Sequence, residues 1–86
     1  MPRYFLHLKD SKDEVLDPDG MEISAMAVPD AALRSARDCI AGDVKAGRID
    51  LHYRIEVFSE DGQLVHALPF SDAVEIVPPR LFKGGA

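Results

Sequence analysis

The sequence has little cysteine, fewer basic than acidic residues and no long hydrophobic run, and each shortage excludes a class of protein. A single cysteine, Cys39, cannot form an internal disulfide, which argues against a disulfide-stabilised secreted domain. No apolar stretch approaches the ~20 residues that cross a bilayer, and the stretch at residues 4–8 is too short for the core of a signal peptide. We therefore expect a cytoplasmic protein without a membrane partner.

Basic residues are scarce: 10 lysines and arginines stand against 15 aspartates and glutamates, a net charge of −5. An acidic domain repels phosphate backbones, which disfavours nucleic-acid binding without excluding it. The 86 residues are 47% hydrophobic and 29% charged, as in an ordinary globular domain. We expect one compact domain over residues 1–77 and a flexible C-terminal tail over residues 78–86, because Pro78 and Pro79 end regular structure.

The three histidines do not fall at metal-ligand spacing. His7, His52 and His66 have no cysteine or histidine close by in sequence, whereas a zinc site needs three or four converging ligands. His7 and His66 could meet if their strands are neighbours, with Asp10 or Glu56 joining them. We favour the alternative that all three are ordinary sheet or loop residues.

Other residue types with chemical potential also have a structural interpretation. Residues 17–20 resemble the start of a calcium loop, but Met21 and Val28 would occupy ligand positions 5 and 12, so we interpret them as a turn. Cys39 falls mid-helix beside apolar positions, which is typical of a packing residue. We predict no catalytic residue, no cofactor and no metal site, and we regard an enzyme as the least favoured function. The carboxylates of the first loop are expected to form a solvated acidic surface: Asp10, Asp13, Glu14, Asp17 and Asp19.

The first part of the chain has the pattern of a β-hairpin. Tyr4, Leu6 and Leu8 alternate with Phe5, His7 and Lys9, which is the period of a strand. Residues 14–16 predict a short return strand, the Asp-Pro-Asp-Gly segment predicts a turn, and residues 21–23 predict a short extended piece.

The middle of the chain, residues 30–46, has the pattern of one amphipathic helix. Asp30 is a candidate N-cap, and Gly47 stands where a left-handed C-terminal cap is expected. Leu33, Ile40 and Val44 fall within about 40° on a helical wheel, and Ala32, Ala36 and Cys39 widen this stripe. We expect the stripe to cover Tyr4, Leu6, Ile55 and Leu68 of a sheet.

The last part of the chain has the pattern of a second hairpin. Residues 51–58 and 64–70 alternate on either side of Asp61-Gly62, a strong hairpin turn. Leu64, Leu68 and Phe70 share one parity, and Pro69 indicates an edge strand or a strand end. Residues 71–76 fit either a strand or one helical turn that Asp72 and Glu75 would cap.

These elements predict an α+β domain of order β-β-α-β-β, in which one antiparallel sheet of about four strands carries one helix on one face.

The sequence also resembles a known family in six segments, at residues 2–10, 17–22, 31–43, 54–57, 61–62 and 68–76. The family comprises small bacterial proteins, frequent in alphaproteobacteria, and is classed as a domain of unknown function. The resemblance spans about residues 2–77, implies a stand-alone domain, and brings no activity, cofactor or catalytic residue.

Two functions remain in competition. The first is a non-enzymatic interaction or regulatory module that acts as a homodimer or binds another protein, with Phe5 and Phe58 as contacts because they lie on the parity opposite the main core. The alternative is nucleic-acid binding along the basic side of the helix, where Arg34, Arg37, Lys45 and Arg48 fall within about 80°. Against the alternative, the i,i+4 spacing of Arg34 and Asp38 fits an ion pair.

Overall fold

The computed structural model describes residues 1–80 and has the predicted α+β architecture. Five strands form one antiparallel sheet, and one long helix packs on it. A 3₁₀ turn, Ala25–Ala27, leads into the long helix. The elements are β1 (Arg3–Lys9), β2 (Glu14–Val15), β3 (Met21–Glu22), α1 (Val28–Lys45), β4 (Arg54–Ser59), β5 (Leu64–Pro69) and α2 (Phe70–Ala73).

Strand β1 lies inside the sheet, in the order β2-β1-β4-β5, and β3 pairs with the other end of β1. The predicted return of the first hairpin is therefore divided into two strands of two residues each, β2 opposite Leu8 and Lys9, and β3 opposite Arg3 and Tyr4. Residues 17–20 form the turn between β2 and β3. Six residue pairs join β1 to β4, from Tyr4 opposite Ser59 to Lys9 opposite Arg54, so these two strands form the frame of the sheet.

The core lies between α1 and one side of the sheet. Helix α1 buries Val28, Ala32, Ala36 and Ile40, which recur every four residues and form one stripe. This stripe packs against Tyr4, Ile55, Val57 and the ring of Phe70, with Leu6, Leu8, Leu33 and Leu68 partly buried around them. The predicted stripe was wrong in one member, because the Val44 side chain is 53% exposed: α1 extends past the sheet before Val44 is reached.

The ends of α1 differ in how well the sequence predicted them. Asp30 is not the N-cap: α1 begins two residues earlier, at Val28, and the N-cap is Ala27, so Asp30 stands in the first turn, where its charge favours the helix dipole. The C-terminus is as predicted. Gly47 has φ +93°, and the amides of Gly47 and Arg48 donate to the carbonyls of Val44 and Asp43, the two bonds of a Schellman motif.

The second hairpin contains a β-bulge that the sequence pattern hid. Val57 pairs with His66 and Phe58 pairs with Leu64, so Val65 is the extra residue on β5. The bulge reverses the parity of the strand: Leu64 shares a face with Phe58, while Leu68 faces the helix opposite Ile55. The prediction that Leu64 and Leu68 share one side of the strand was wrong for this reason. The other strand of the hairpin, β4, begins at Arg54 and not at residue 51, where the predicted alternation began.

Strand β5 lies at the edge of the sheet and ends at Pro69, as predicted. Of the ambiguous residues 71–76, the first three belong to the helical turn α2, and residues 74–76 are in neither a helix nor a strand. The turn buries Phe70 and Ala73, and its N-cap is Pro69 without a side-chain hydrogen bond, so Asp72 does not cap it. Residues 81–86 of the predicted tail lie outside the described residues, and the boundary at residue 77 stays a prediction. Within residues 1–80 no helix combines the length and the apolar character needed to cross a membrane.

Candidate interaction surface

The sheet has one side that no helix of residues 1–80 covers, and we call it the open face. Because side chains alternate along a strand, the residues between the core positions of β1 and β4 all point to this side. The face is also extended by Leu16, which follows β2, and by Leu64, which the bulge turns outward. We define the open face as Arg3, Phe5, His7, Lys9, Glu14, Leu16, Glu22, Arg54, Glu56, Phe58 and Leu64.

An aromatic cluster lies at the centre of the open face. Phe5 is directly opposite Phe58 on the neighbouring strand. The His7 ring lies 6.5 Å from Phe5 and 5.3 Å from Phe58 between ring centroids, and the Lys9 ammonium lies 5.1 Å from the centroid of Phe58. These side chains and Leu16 line a shallow cavity of about 360 Å³. The centre of the open face is therefore an aromatic surface around a shallow cavity, with one cation above the Phe58 ring.

The charged groups of the open face are paired with one another. Lys9 Nζ lies 3.1 Å from Glu56 and 3.6 Å from Glu14, and Arg54 Nε donates to Glu56 over 2.7 Å. Arg54 and Lys9 hold the pKa of Glu56 below its usual value, and Glu56 raises the pKa of Lys9. At the other end of β1, Arg3 lies 3.4 Å from Glu22. The face thus carries three positive and three negative charges, all in ion pairs.

The turn at residues 17–20 supports the aromatic cluster from one side. The Asp17 carboxylate accepts hydrogen bonds from the amides of Leu6, Asp19 and Gly20, at 3.2, 3.3 and 3.1 Å. The Asp17 amide in turn donates to His7 Nδ1 over 3.0 Å. Gly20 has φ +74°, and a Cβ placed there would lie 2.9 Å from the Phe5 ring and from the Arg3 side chain. The turn chemistry seen in the sequence therefore positions His7 and Phe5.

The four basic residues of the predicted nucleic-acid surface do not form one continuous patch. Arg34 and Arg37 line a groove of about 460 Å³ together with Leu33 and two carboxylates, Asp30 and Asp38. Arg37 Nε donates to the carbonyl of Ala73 over 2.8 Å. Within residues 1–80 the expected ion pair between Arg34 and Asp38 is absent.

The other two basic residues lie at the far end of α1. Lys45 is its last residue and is exposed. Arg48 follows the helix, so the helical wheel misplaced it, and it lies 3.4 Å from the carboxylate of Asp50. The predicted surface is therefore divided, and one of its four residues belongs to a loop.

The histidines lie apart. His7 is on the open face, His66 pairs with Val57 on the helix side of the sheet, and His52 contacts Asp50 in the loop before β4. Among residues 1–80 no group of three histidine, cysteine or carboxylate side chains is close enough to hold a metal ion. The interpretation in which His7 and His66 share a site was therefore wrong, because β4 separates their strands and they face opposite sides.

A second, more apolar groove of about 490 Å³ lies between β3 and α1. Met21, Ile23, Ala31 and Cys39 are among its lining residues. Burial, with Asp43 and Asp38 nearby, raises the pKa of the Cys39 thiol. A protonated, half-buried thiol packs as a small apolar group, so this groove offers contact area without a nucleophile.

The sequence pattern placed Phe5 and Phe58 on the outward parity and missed four residues around them. His7 belongs to the same alternation as Phe5, and this signal was present in the sequence. Leu64 was hidden by the bulge. No feature of the sequence predicted that Leu16 and Asp17 lie beside His7, because that position depends on the path of the chain between β2 and β3.

A family model matches residues 3–71 of the chain, and its description is Domain of unknown function (DUF6894). The match covers the sheet and α1 and most of the segment in which the sequence showed its resemblance. Comparison with curated proteins finds no match, and comparison with solved structures finds none either.

Proposed function

The chain belongs to the family of that description, and we propose that it is a non-enzymatic interaction module whose open face binds a second copy of the chain. One observation carries the proposal: Phe5 and Phe58 lie opposite each other, with His7 beside them, on the side of the sheet that α1 leaves uncovered. A sheet with one covered side ordinarily alternates apolar residues inward with polar residues outward. Aromatic residues on the outward side are typical of contact surfaces.

The balance of charges on the open face favours a second copy of the chain as the partner that binds there. The chain carries a net charge of −5, so two copies repel each other at long range. On the open face, however, three basic residues balance three acidic ones, and Glu60 adds one negative charge at the rim of the cavity. Two such faces can meet with little repulsion, whereas a phosphate backbone gains nothing there.

The size of the open face indicates weak self-association. Seven residues at about 3.3 Å each and four strands at about 4.8 Å give a footprint of roughly 23 by 19 Å, or about 440 Å² per copy. Stable interfaces bury about 800 Å² per partner. We therefore expect a concentration-dependent dimer.

The edge strand β5 is the competing route to self-association, through pairing of strand edges. It contains no charged residue, and Leu64 and Val65 are about half exposed. The bulge at Val65 and the terminal Pro69 are both devices that discourage such pairing. The open face is therefore the better supported surface.

Sedimentation velocity over a hundredfold range of concentration tests the proposal. The wild type is expected to shift from monomer to dimer, and Phe58→Glu is expected to stay monomeric because each copy would lose an aromatic contact and bury a carboxylate in the centre of the interface. Met26→Glu is the matched control, because Met26 is 92% exposed in the 3₁₀ turn and does not belong to the open face. Circular dichroism checks that both variants fold. A wild type that remains monomeric at the highest concentration contradicts the proposal.

Nucleic-acid binding along α1 is the second candidate, and one observation favours it: Arg34 and Arg37 line the same groove. It has less support, since Asp30 and Asp38 line that groove too and Arg37 is engaged with Ala73. An electrophoretic mobility shift at low salt tests it, because the phosphate contribution is strongest there. Binding that Arg34→Ala weakens would favour this candidate over self-association.

A further inference from the structure

The hydrogen bond between Asp17 and His7 can form with only one form of the imidazole. A backbone amide can only donate, so His7 Nδ1, which lies 3.0 Å from the Asp17 nitrogen, must be the acceptor and cannot carry a proton. The bond therefore requires the neutral tautomer that carries its proton on Nε2. This assignment follows from the partner alone, because the amide leaves no choice of tautomer.

The same bond connects the turn to the centre of the open face. Strands β2 and β3 contain two residues each, so the chain between them has few ladder bonds of its own. Leu16, at the start of that stretch, lines the cavity beside Phe5 and Phe58. Two other bonds also tie this segment to β1, from the Arg3 guanidinium to the Asp19 carbonyl and from the Leu6 amide to the Asp17 carboxylate. Loss of the Asp17–His7 bond would thus loosen, without detaching, the segment that completes one wall of the cavity.

We propose that His7 is a pH-sensitive switch: its neutral form helps to hold residues 16–20 against the open face, and its protonation loosens them and weakens self-association. The proposal rests on the proposed function for its second half only. Histidine is the side chain whose ordinary titration spans pH 5 to 8, and a doubly protonated ring has no acceptor nitrogen. In the imidazolium, Nδ1–H and the Asp17 amide would be two donors facing each other.

The charged groups around His7 offer no simple replacement for the lost bond. Glu56 stands directly opposite His7 on β4, but it is already paired with Lys9 of β1, as is Glu14 of β2. The Asp17 carboxylate is bonded to three amides and would have to give up bonds to turn toward Nδ1. Glu60, after β4, lines the same cavity at its rim and is exposed.

Hydrogen exchange of the Asp17 amide tests the switch without reference to self-association. Measured by NMR at low concentration and corrected for the intrinsic exchange rate, protection of this amide is expected to fall about tenfold or more between pH 7.5 and pH 5.5. His7→Asn is the matched variant, because the Asn Oδ1 lies near the place of Nδ1 and accepts the same bond but does not titrate. Its Asp17 protection is expected to stay constant. Wild-type protection that does not change with pH overturns the proposal.

Sedimentation velocity over the same pH range tests the second half. The wild-type dimer is expected to dissociate toward pH 5.5, whereas the dimer affinity of His7→Asn, whatever its value at pH 7.5, is expected not to change with pH. His52→Asn, whose ring is 90% exposed in a loop, should keep the wild-type response. If Asp17 protection falls while the dimer persists, the switch does not control self-association and the proposal is refuted. A chain that is monomeric at every pH refutes the proposed function instead, and Asp17 protection then still decides whether His7 controls the turn.

Discussion

Arg37 Nε donates a hydrogen bond of 2.8 Å to the carbonyl of Ala73, which joins the middle of α1 to the last residue of α2. The two residues are 36 positions apart in sequence. The Ala73 carbonyl belongs to a single helical turn with no side-chain cap, so the guanidinium provides a partner for a group at the helix end.

This contact predicts that Arg37→Ala destabilises the fold. A hydrogen bond to a charged group contributes about 1.5–3 kcal/mol, and the partial exposure of this pair places our expectation near the lower end, at about 1–2 kcal/mol. Thermal unfolding should show a decrease in Tm of about 4–8 °C for each kcal/mol. Arg34→Ala, one turn earlier on α1, is the control and should change Tm little. Equal shifts for both variants would contradict the role of the Ala73 contact.

The two turn glycines predict different costs for the same substitution. Gly20 and Gly62 both have positive φ, +74° and +83°, so alanine strains the backbone at either site by about 1–2 kcal/mol. At Gly20 the new Cβ would also meet Phe5 and Arg3 at 2.9 Å, which adds about 1–3 kcal/mol of overpacking, whereas at Gly62 nothing among residues 1–80 lies within 4 Å of it. Urea unfolding should therefore rank Gly20→Ala well below Gly62→Ala in stability. The reverse order would show that the turn does not pack on the Phe5 ring.

The ion pairs of Glu56 predict a loss of stability in acid. Arg54 and Lys9 hold the pKa of Glu56 below its usual value of 4.5, so below that pH the unfolded chain binds more protons than the folded one. The contribution of Glu56 is complete above pH 4.5 and disappears as the pH falls through its lower, folded-state pKa.

Urea unfolding between about pH 7 and about pH 3 measures this dependence. Glu56→Gln should be less stable than the wild type near neutral pH, and the difference should shrink in acid. Glu75→Gln changes an exposed carboxylate beyond α2 and serves as the control. A difference between Glu56→Gln and the wild type that is the same at both ends of the range would contradict the prediction.

Cys39 is predicted to react slowly with thiol reagents. Burial, then Asp43 and Asp38, raises the pKa of its thiol above the usual 9.0, so less thiolate is present near neutral pH than in an unfolded chain. Alkylation by iodoacetamide at neutral pH should be at least about tenfold slower in the folded protein than in urea. Similar rates in the two states would show that the thiol is neither buried nor protected by its acidic neighbours.

How far the sequence predicted the fold depended on whether each feature was local. Period-two alternation in β1, the Asp61-Gly62 turn and the Gly47 cap depend on neighbouring residues, and all three were confirmed. The N-cap was misplaced because the Pro29-Asp30 pair allows a helix to begin on either side of the proline. The extra residue at Val65 was invisible because a bulge is defined by the partner strand.

The candidate surface shows the same division. The outward parity of Phe5 and Phe58 was evident in the sequence, but whether anything covers that side was decided by the placement of α1. Arg48 lies apart from Arg34 and Arg37 because α1 ends before it, at Lys45, and Arg48 instead lies beside Asp50.

By itself, the sequence determined the kinds of element, their order and the two faces of each strand, because alternation, turn chemistry and helix capping act between residues a few positions apart. Only the tertiary structure decided that one helix covers one side of the sheet, that Asp17 holds the ring of His7, and that Arg37 holds Ala73. The physical reason is that such contacts form between residues brought together by chain reversals, and their geometry depends on the register and packing of the whole domain.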